Sequence, residues 1–144
     1  MNKQVIIIGG GIAGLMTAST LQSMGVDTTV IERDQNIGGK LNKWDRLFPT
    51  FTPAHEVLDR IIEQYNNSGS RLITSAEVKN IDPSGKGVTL FNGNHIAGDA
   101  VVIASGFELF DATIKEEYGY GIYDNVVTSV DLEQMFKENR VLTK

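Results

Sequence analysis

The sequence predicts an α/β fold, a doubly wound parallel sheet that carries a small antiparallel β-meander. Three observations predict it. Val5 to Asp34 reads as strand, glycine turn, helix, strand, and ends beside an acid. A second wholly apolar run, Ala100 to Ala104, leads straight into Ser105-Gly106. Between them, residues 77–97 alternate apolar with polar and are broken by turn signals. Continuous apolar, β-branched runs suit parallel strands buried on both faces, and alternation suits an antiparallel ladder with one wet face.

Taken in order, residues 3–8 form the first strand, and Gly9, Gly11 and Gly14 follow in GxGxxG spacing. Gly9 permits the sharp exit from the strand, Gly11 lets backbone approach a pyrophosphate, and Gly14 lets the helix lie close on the sheet. Ile12 and Ala13 share the helix start, whose partial positive charge of roughly half a unit receives a diphosphate without a basic side chain. The helix runs from Ile12 to about Met24. It has two apolar sides, Gly14-Ala18-Leu21-Gly25 and Ile12-Leu15-Met16, so it is expected to be covered on both. The cover comes from this chain or from material outside it. Thr28 to Ile31 is the second strand, and Glu32 falls 18 residues after Gly14. A carboxylate there accepts from a ribose 2′-OH and repels a 2′-phosphate, with Arg33 beside it softening that preference. This context points to dinucleotide binding, FAD or NAD, over a merely structural turn.

Gly38-Gly39 offers a second close backbone approach, with Lys40 adding charge beside a phosphate. Trp44, Phe48 and Phe51 in the same loop read as core or lid residues. Thr52 is expected as N-cap and Pro53 as first residue of a helix carrying the stripe Val57, Leu58, Ile61, Ile62 and Tyr65, closed near Gly69. Strands follow at 71–74, 77–81, 88–91 and 95–97, with Asn92-Gly93 as a hairpin signal. Ser105-Gly106 reads as a second ligand-facing turn at the carboxyl edge of the sheet. A last helix is expected, capped by Ser129 and carrying Leu132, Met135 and Phe136. His55 and His95 have no partner at metal-ligand spacing, and no set of residues has the spacing of a catalytic acid, base or nucleophile. Catalytic residues thus remain unassigned, and no metal site is expected.

Composition sets bounds. The chain has 144 residues, a net charge of -5 and no cysteine. That is one domain of ordinary size. The charge argues against nucleic acid or an anionic membrane as partner. The missing thiols exclude a disulfide framework, a dithiol redox pair and thiolate-held iron–sulfur clusters within these residues. With no signal-peptide pattern and no apolar run near ~18 residues, the expected location is the cytoplasm.

VIIIGGGIAGL, IERDQNIGGK, the FPT at Phe48 to Thr50 and, above all, ASGFELFDATIKEEYGYGIYDNVVTS resemble the FAD-binding region of the A-type subunits of heterodisulfide reductase. That group lies within the wider pyridine nucleotide–disulfide oxidoreductase-like flavoproteins. The resemblance covers residues 3–139, and is specific at 5–50 and 104–129. It implies a Rossmann-like FAD-binding domain of a flavin-dependent oxidoreductase that transfers hydride or electrons. NAD(P)H is a possible donor in the full-length enzyme, and redox proteins are possible partners. It further implies that Gly9, Gly11 and Gly14 cradle the FAD pyrophosphate and that Glu32 holds the adenosine ribose, flanked by Arg33. Gly38, Gly39 and Lys40 would approach the pyrophosphate or ribityl chain. The backbone of Val78 would meet adenine, and Ala104, Ser105 and Gly106 would form the later FAD-contacting turn.

Two departures stand out. Family members carry cluster-binding cysteines after FPT, where this chain reads FTPAHEVLD. They also continue well beyond this length. The expectation is a single FAD-binding domain over 1–144, either the N-terminal part of a longer flavoprotein, inactive alone, or a naturally short relative. A non-catalytic dinucleotide-binding module and an NAD-binding dehydrogenase domain remain alternatives.

Overall fold

The structure, a computed structural model, describes residues 3–138 and residue 140. Its centre is a four-stranded parallel sheet of β1 (Gln4–Ile8), β2 (Asp27–Ile31), β5 (Arg71–Ile73) and β9 (Ala100–Ile103), in the order β5-β2-β1-β9. The helices α1 (Ile12–Ser23) and α2 (Ala54–Asn66) join β1 to β2 and β2 to β5. A separate antiparallel sheet of β6 (Val78–Ile81), β7 (Gly87–Leu90) and β8 (His95–Ala97) returns the chain to β9.

The period of two along β1 divides the core. Val5 and Ile7 pack with Val30 on the helical side, against Leu15 and Ala18 of α1 and Ile61 and Tyr65 of α2. Ile6 and Ile31 face the other way and pack on Ala76, Val88 and Leu90 of the meander side. Both faces are therefore covered, which explains why β1 reads as unbroken apolar sequence. Each fully buried aliphatic contributes about 1.5–3 kcal/mol.

The two-sided apolar character of α1 is met from within the chain. Gly14, Leu15, Ala18 and Ser19 are buried, while Ile12, Met16 and Leu21 pack on the cluster shared with α2.

Two boundaries differ from expectation. Thr52 does not cap α2. Thr52 and Pro53 form β4, a two-residue antiparallel ladder with β3 (Arg46–Leu47). That ladder holds Thr52 extended, its hydroxyl pairs with Thr50 Oγ1 at 2.8 Å, and Pro53 becomes the N-cap. The last helix, α3 (Ser129–Lys137), is capped by Thr128 rather than Ser129. Thr128 and Asp131 form a reciprocal capping box, and a residue inside the first turn cannot compete with that geometry. Among the described residues, no helix is long and apolar enough to cross a membrane.

Candidate functional site: a cleft at the switch point of the sheet

From β1 the chain winds outward to β2 and β5, whereas β9 lies on the opposite flank of β1. The winding thus reverses between β1 and β9, and in open α/β sheets the crevice outside the carboxyl ends at that reversal receives ligands. Register places the relevant turns level. Ile8 stands opposite Ile31 on one side and Ile103 on the other. The next residues, Gly9, Glu32 and Ala104, therefore emerge together. Three backbone bonds fix them: Gly9 N to Ile31 O at 2.8 Å, Glu32 N to Ile73 O at 2.8 Å, and Ala104 N to Ile8 O at 2.8 Å.

The resulting cleft holds about 430 Å³, within the usual range of ~300–1,000 Å³ for small-molecule sites. Gly9, Gly11, Ile12 and Ala13 line its floor, Glu32 and Arg33 one end, Gly38, Gly39 and Lys40 a wall, and Ala104, Ser105 and Gly106 the opposing wall. Two expected residues stand elsewhere. Gly14 lies behind the floor, where an added Cβ would meet the Gly9 carbonyl oxygen at 1.9 Å. Its role is close packing of helix on turn. Val78 is absent from the lining: it opens β6, pairs with Leu90 and packs on the meander-side core. The segment from Thr74 to Glu77 intervenes between β5 and β6, so Val78 belongs to the meander rather than to the parallel sheet.

The three glycines of the motif are required for different reasons. Gly9 has φ +111°, and a Cβ there would meet Ala104 O at 2.4 Å. Gly14 is demanded by the contact already described. Gly11 is demanded by nothing inside the protein. Its φ is −77°, and no atom lies within 4 Å of where its Cβ would stand. It is the N-cap of α1, offers no side chain to cap the helix, and no acid occupies the first turn. The floor of the cleft is thus bare backbone at a helix N-terminus, the arrangement that accepts a diphosphate.

Glu32 is 7% exposed. One carboxylate oxygen accepts from Gly10 N at 2.6 Å and the other from Asp34 N at 2.9 Å. The side chain therefore staples the glycine turn to the end of β2. A carboxylate offers about four acceptor positions, and these bonds use two of them. Gly38 N donates to Gly10 O at 2.7 Å, and a Cβ on Gly39 would touch Gly11 Cα at 3.2 Å. The second glycine pair is thus built against the first turn. Lys40 Nζ donates to the Phe107 carbonyl across the cleft and lies 4.4 Å from that ring's centre.

The sequence reading missed Asp34, Leu41, Lys43, Trp44, Phe107, Glu108 and Leu109 as lining residues. Lys43 and Trp44 reach the cleft because a 3₁₀ turn, Gly39–Asn42, folds the loop back on itself. Phe48 and Phe51 are neither core nor lining. They are 86% and 62% exposed and pack edge to face at 6.1 Å.

Comparison with known proteins agrees with this geometry. The chain is 25% identical to the A-type iron-sulfur subunit of the CoB–CoM heterodisulfide reductase from Methanocaldococcus jannaschii, covering 94% of this chain and 33% of that protein. The alignment spans 217 residues, more than the 144 of this chain, so the relative carries residues within the matched span that have no counterpart here. The chain spans about a third of the length of the curated relatives it matches. Among solved structures it superposes on 2-methyl-3-hydroxypyridine-5-carboxylic acid oxygenase with a TM-score of 0.61 at 18% identity, covering 73% of this chain and 40% of that one. It also superposes on the ferredoxin reductase of the CYP199A2 system from Rhodopseudomonas palustris, with a TM-score of 0.55 at 24% identity and coverage of 81% and 27%. These two likenesses establish the fold. The sequence profile of one family matches residues 3–142, and the chain belongs to that family, the pyridine nucleotide-disulphide oxidoreductases.

Proposed function

We propose that this chain is the FAD-binding domain of a flavin-dependent oxidoreductase and works as part of a longer polypeptide. The observation that carries the reading is Gly11, a glycine with no internal reason to be one, at the uncapped start of α1 on the floor of the cleft. A side chain there would block only a ligand.

In this reading the diphosphate lies on Gly9, Gly11, Ile12 and Ala13, with Gly14 holding the helix against the turn. Glu32 accepts from the adenosine ribose, and Arg33 flanks it. Gly38, Gly39 and Lys40 line the path of the pyrophosphate and ribityl chain, opposite Ala104, Ser105 and Gly106. When bound, the flavin supplies the hydride or electron chemistry, and the protein orients it and excludes water. In the longer protein NAD(P)H is a candidate donor, redox proteins are candidate partners, and the proposed location is the cytoplasm. The relative's name includes an iron-sulfur function. This chain has no cysteine to ligate such a cluster.

Exposure of the loop after β9 supports the longer polypeptide. Phe107, Leu109, Phe110 and Ile114 are all more than half exposed, and further chain would cover them.

Titration with FAD and with NAD, read by Trp44 quenching and flavin absorbance, tests the proposal. One equivalent of FAD is expected, bound more tightly than NAD. Replacing Glu32 with Ala should weaken FAD by about 1–3 kcal/mol, the loss of a charged hydrogen bond. Uptake of NAD with no uptake of FAD would favour the alternative of a dehydrogenase domain, which Glu32 and the glycine motif equally permit.

A further inference from the structure

The helix α3 buries no residue, with Leu132 44% and Phe136 47% exposed. Such a helix is not held by the core. Two of its side chains reach across to one loop. Glu133 Oε2 accepts from Asp45 N at 2.8 Å and from Arg46 N at 3.4 Å. Four residues on, and so on the same helix face, Lys137 Nζ donates to the Asn42 carbonyl. The segment between these anchor points contains Lys43 and Trp44, both of which line the cleft.

The anchor points lead further inward. Asn42 Nδ2 donates to Ile37 O at 2.9 Å and to Gly39 O at 3.3 Å. Gly38 N in turn donates to Gly10 O at 2.7 Å. A continuous run of hydrogen bonds thus joins α3 to the glycine turn that forms the cleft floor. On the other side, the Asp45 carbonyl accepts from Ala54 N at 2.8 Å, tying the same loop to the start of α2.

We infer that α3 is a latch on the Lys40–Trp44 wall of the cleft, with Glu133 and Lys137 as its two pins, and that seating of α3 and occupancy of the cleft are coupled. Glu133 is a positioning residue: it touches no ligand and acts through the backbone of Asp45 and Arg46. The inference rests on the reading of the cleft as a dinucleotide site. Coupling is reciprocal, so a bound dinucleotide seats α3 as much as α3 favours the dinucleotide.

The test uses the full chain with Glu133→Ala, Glu133→Gln and Lys137→Met, and with Glu138→Gln, at the C-cap of the same helix, as a control. Trp44 is the only tryptophan, so its emission reports the wall directly. Without ligand, Glu133→Ala should shift that emission to the red and speed amide exchange at Asp45 and Arg46. FAD affinity should fall about tenfold, within the usual range of coupling between sites. Glu133→Gln retains one acceptor oxygen and should recover part of the loss, Lys137→Met should behave like Glu133→Ala, and the control should match the wild type. Faster exchange with unchanged affinity would overturn the coupling, and unchanged exchange would overturn the pins. If the wild type takes up NAD instead of FAD, the flavin proposal falls while the same tenfold ratio, measured with NAD, still decides the latch. A wild type that takes up neither removes both.

Discussion

The turn after β1 and the turn after β9 lie side by side at one edge of the sheet, yet they are held in opposite ways. The first is backbone packed on backbone. Gly9 N, Gly10 N and Gly10 O all have partners at 2.6–2.8 Å, and Gly9 and Gly14 leave no room for a methyl group. The second is tied to β1 through Ala104 N and then runs from Ser105 to Phe110 without helix or strand, exposed along its length. Phe110 is 66% exposed, and nothing lies within 4 Å of a Cβ placed on Gly106. The difference teaches where preorganisation resides. The glycine wall is fixed by backbone contacts within this chain, whereas beyond Ala104 the facing wall is held by the contacts of Lys40 with Phe107.

The largest effect should come from Gly14→Ala. The new Cβ would fall 1.9 Å from the Gly9 carbonyl oxygen and 3.1 Å from its carbon. Those are backbone atoms, fixed by the sheet on one side and α1 on the other, so nothing flexible yields. We expect a loss of about 3 kcal/mol or more in urea denaturation. Gly106→Ala, in the facing wall, meets no atom and carries only the strain of φ +73°, about 1–2 kcal/mol. Equal losses at the two positions would show that the first wall is no more tightly built than the second.

Gly11→Val should separate folding from binding. With open space around it and an ordinary φ, the variant should melt within about 1 kcal/mol of the wild type. Its side chain would stand where the proposed diphosphate approaches and cost one or two charged hydrogen bonds at about 1.5–3 kcal/mol each, so FAD affinity should drop about a hundredfold. Intact affinity would mean that the ligand does not cross this floor.

How much of this was legible in sequence depends on the range of the interaction. The strand–turn–helix around Gly9 to Gly14 and the acid at Glu32 were legible because spacing along one supersecondary unit fixes them. The meander was legible from alternation and Asn92-Gly93. Trp44 and Lys43 were not read as cleft residues, because a 3₁₀ turn just before them decides which way they face. Thr52 was misread because its extended backbone is set by a ladder partner, Leu47, five residues away. The staple from Glu32 to Gly10 N was not legible either. Spacing gives the acid a place at the strand end but does not show that its oxygens accept from backbone. The tie between Glu133 and Asp45 spans 88 residues, and no local pattern announces it.

The smallest effect sharpens the comparison from the other side, since α3 depends on side-chain carboxylates where the glycine turn depends on backbone. Asp131 accepts from the Thr128 hydroxyl at 2.7 Å and from Thr128 N at 2.8 Å. Those two bonds, the hydroxyl first, hold its carboxyl below the usual aspartate range, with the Tyr120 hydroxyl adding to them. The folded state thus binds the proton less readily than the unfolded one. The cap's contribution is complete above the ordinary aspartate pKa of about 4 and fades as pH falls through the lower folded value. Hydrogen exchange measured on lowering the pH from 6 through that window, roughly pH 4 and below, should show the amides of α3 losing protection while those of β1 and β2 keep theirs. Thr128→Ala at pH 6 should reproduce the loss at about 1 kcal/mol, confined to α3. Loss of protection in α3 and β1 at the same pH would mean that the helix is part of the cooperative core, and that its polar pins are not what holds it.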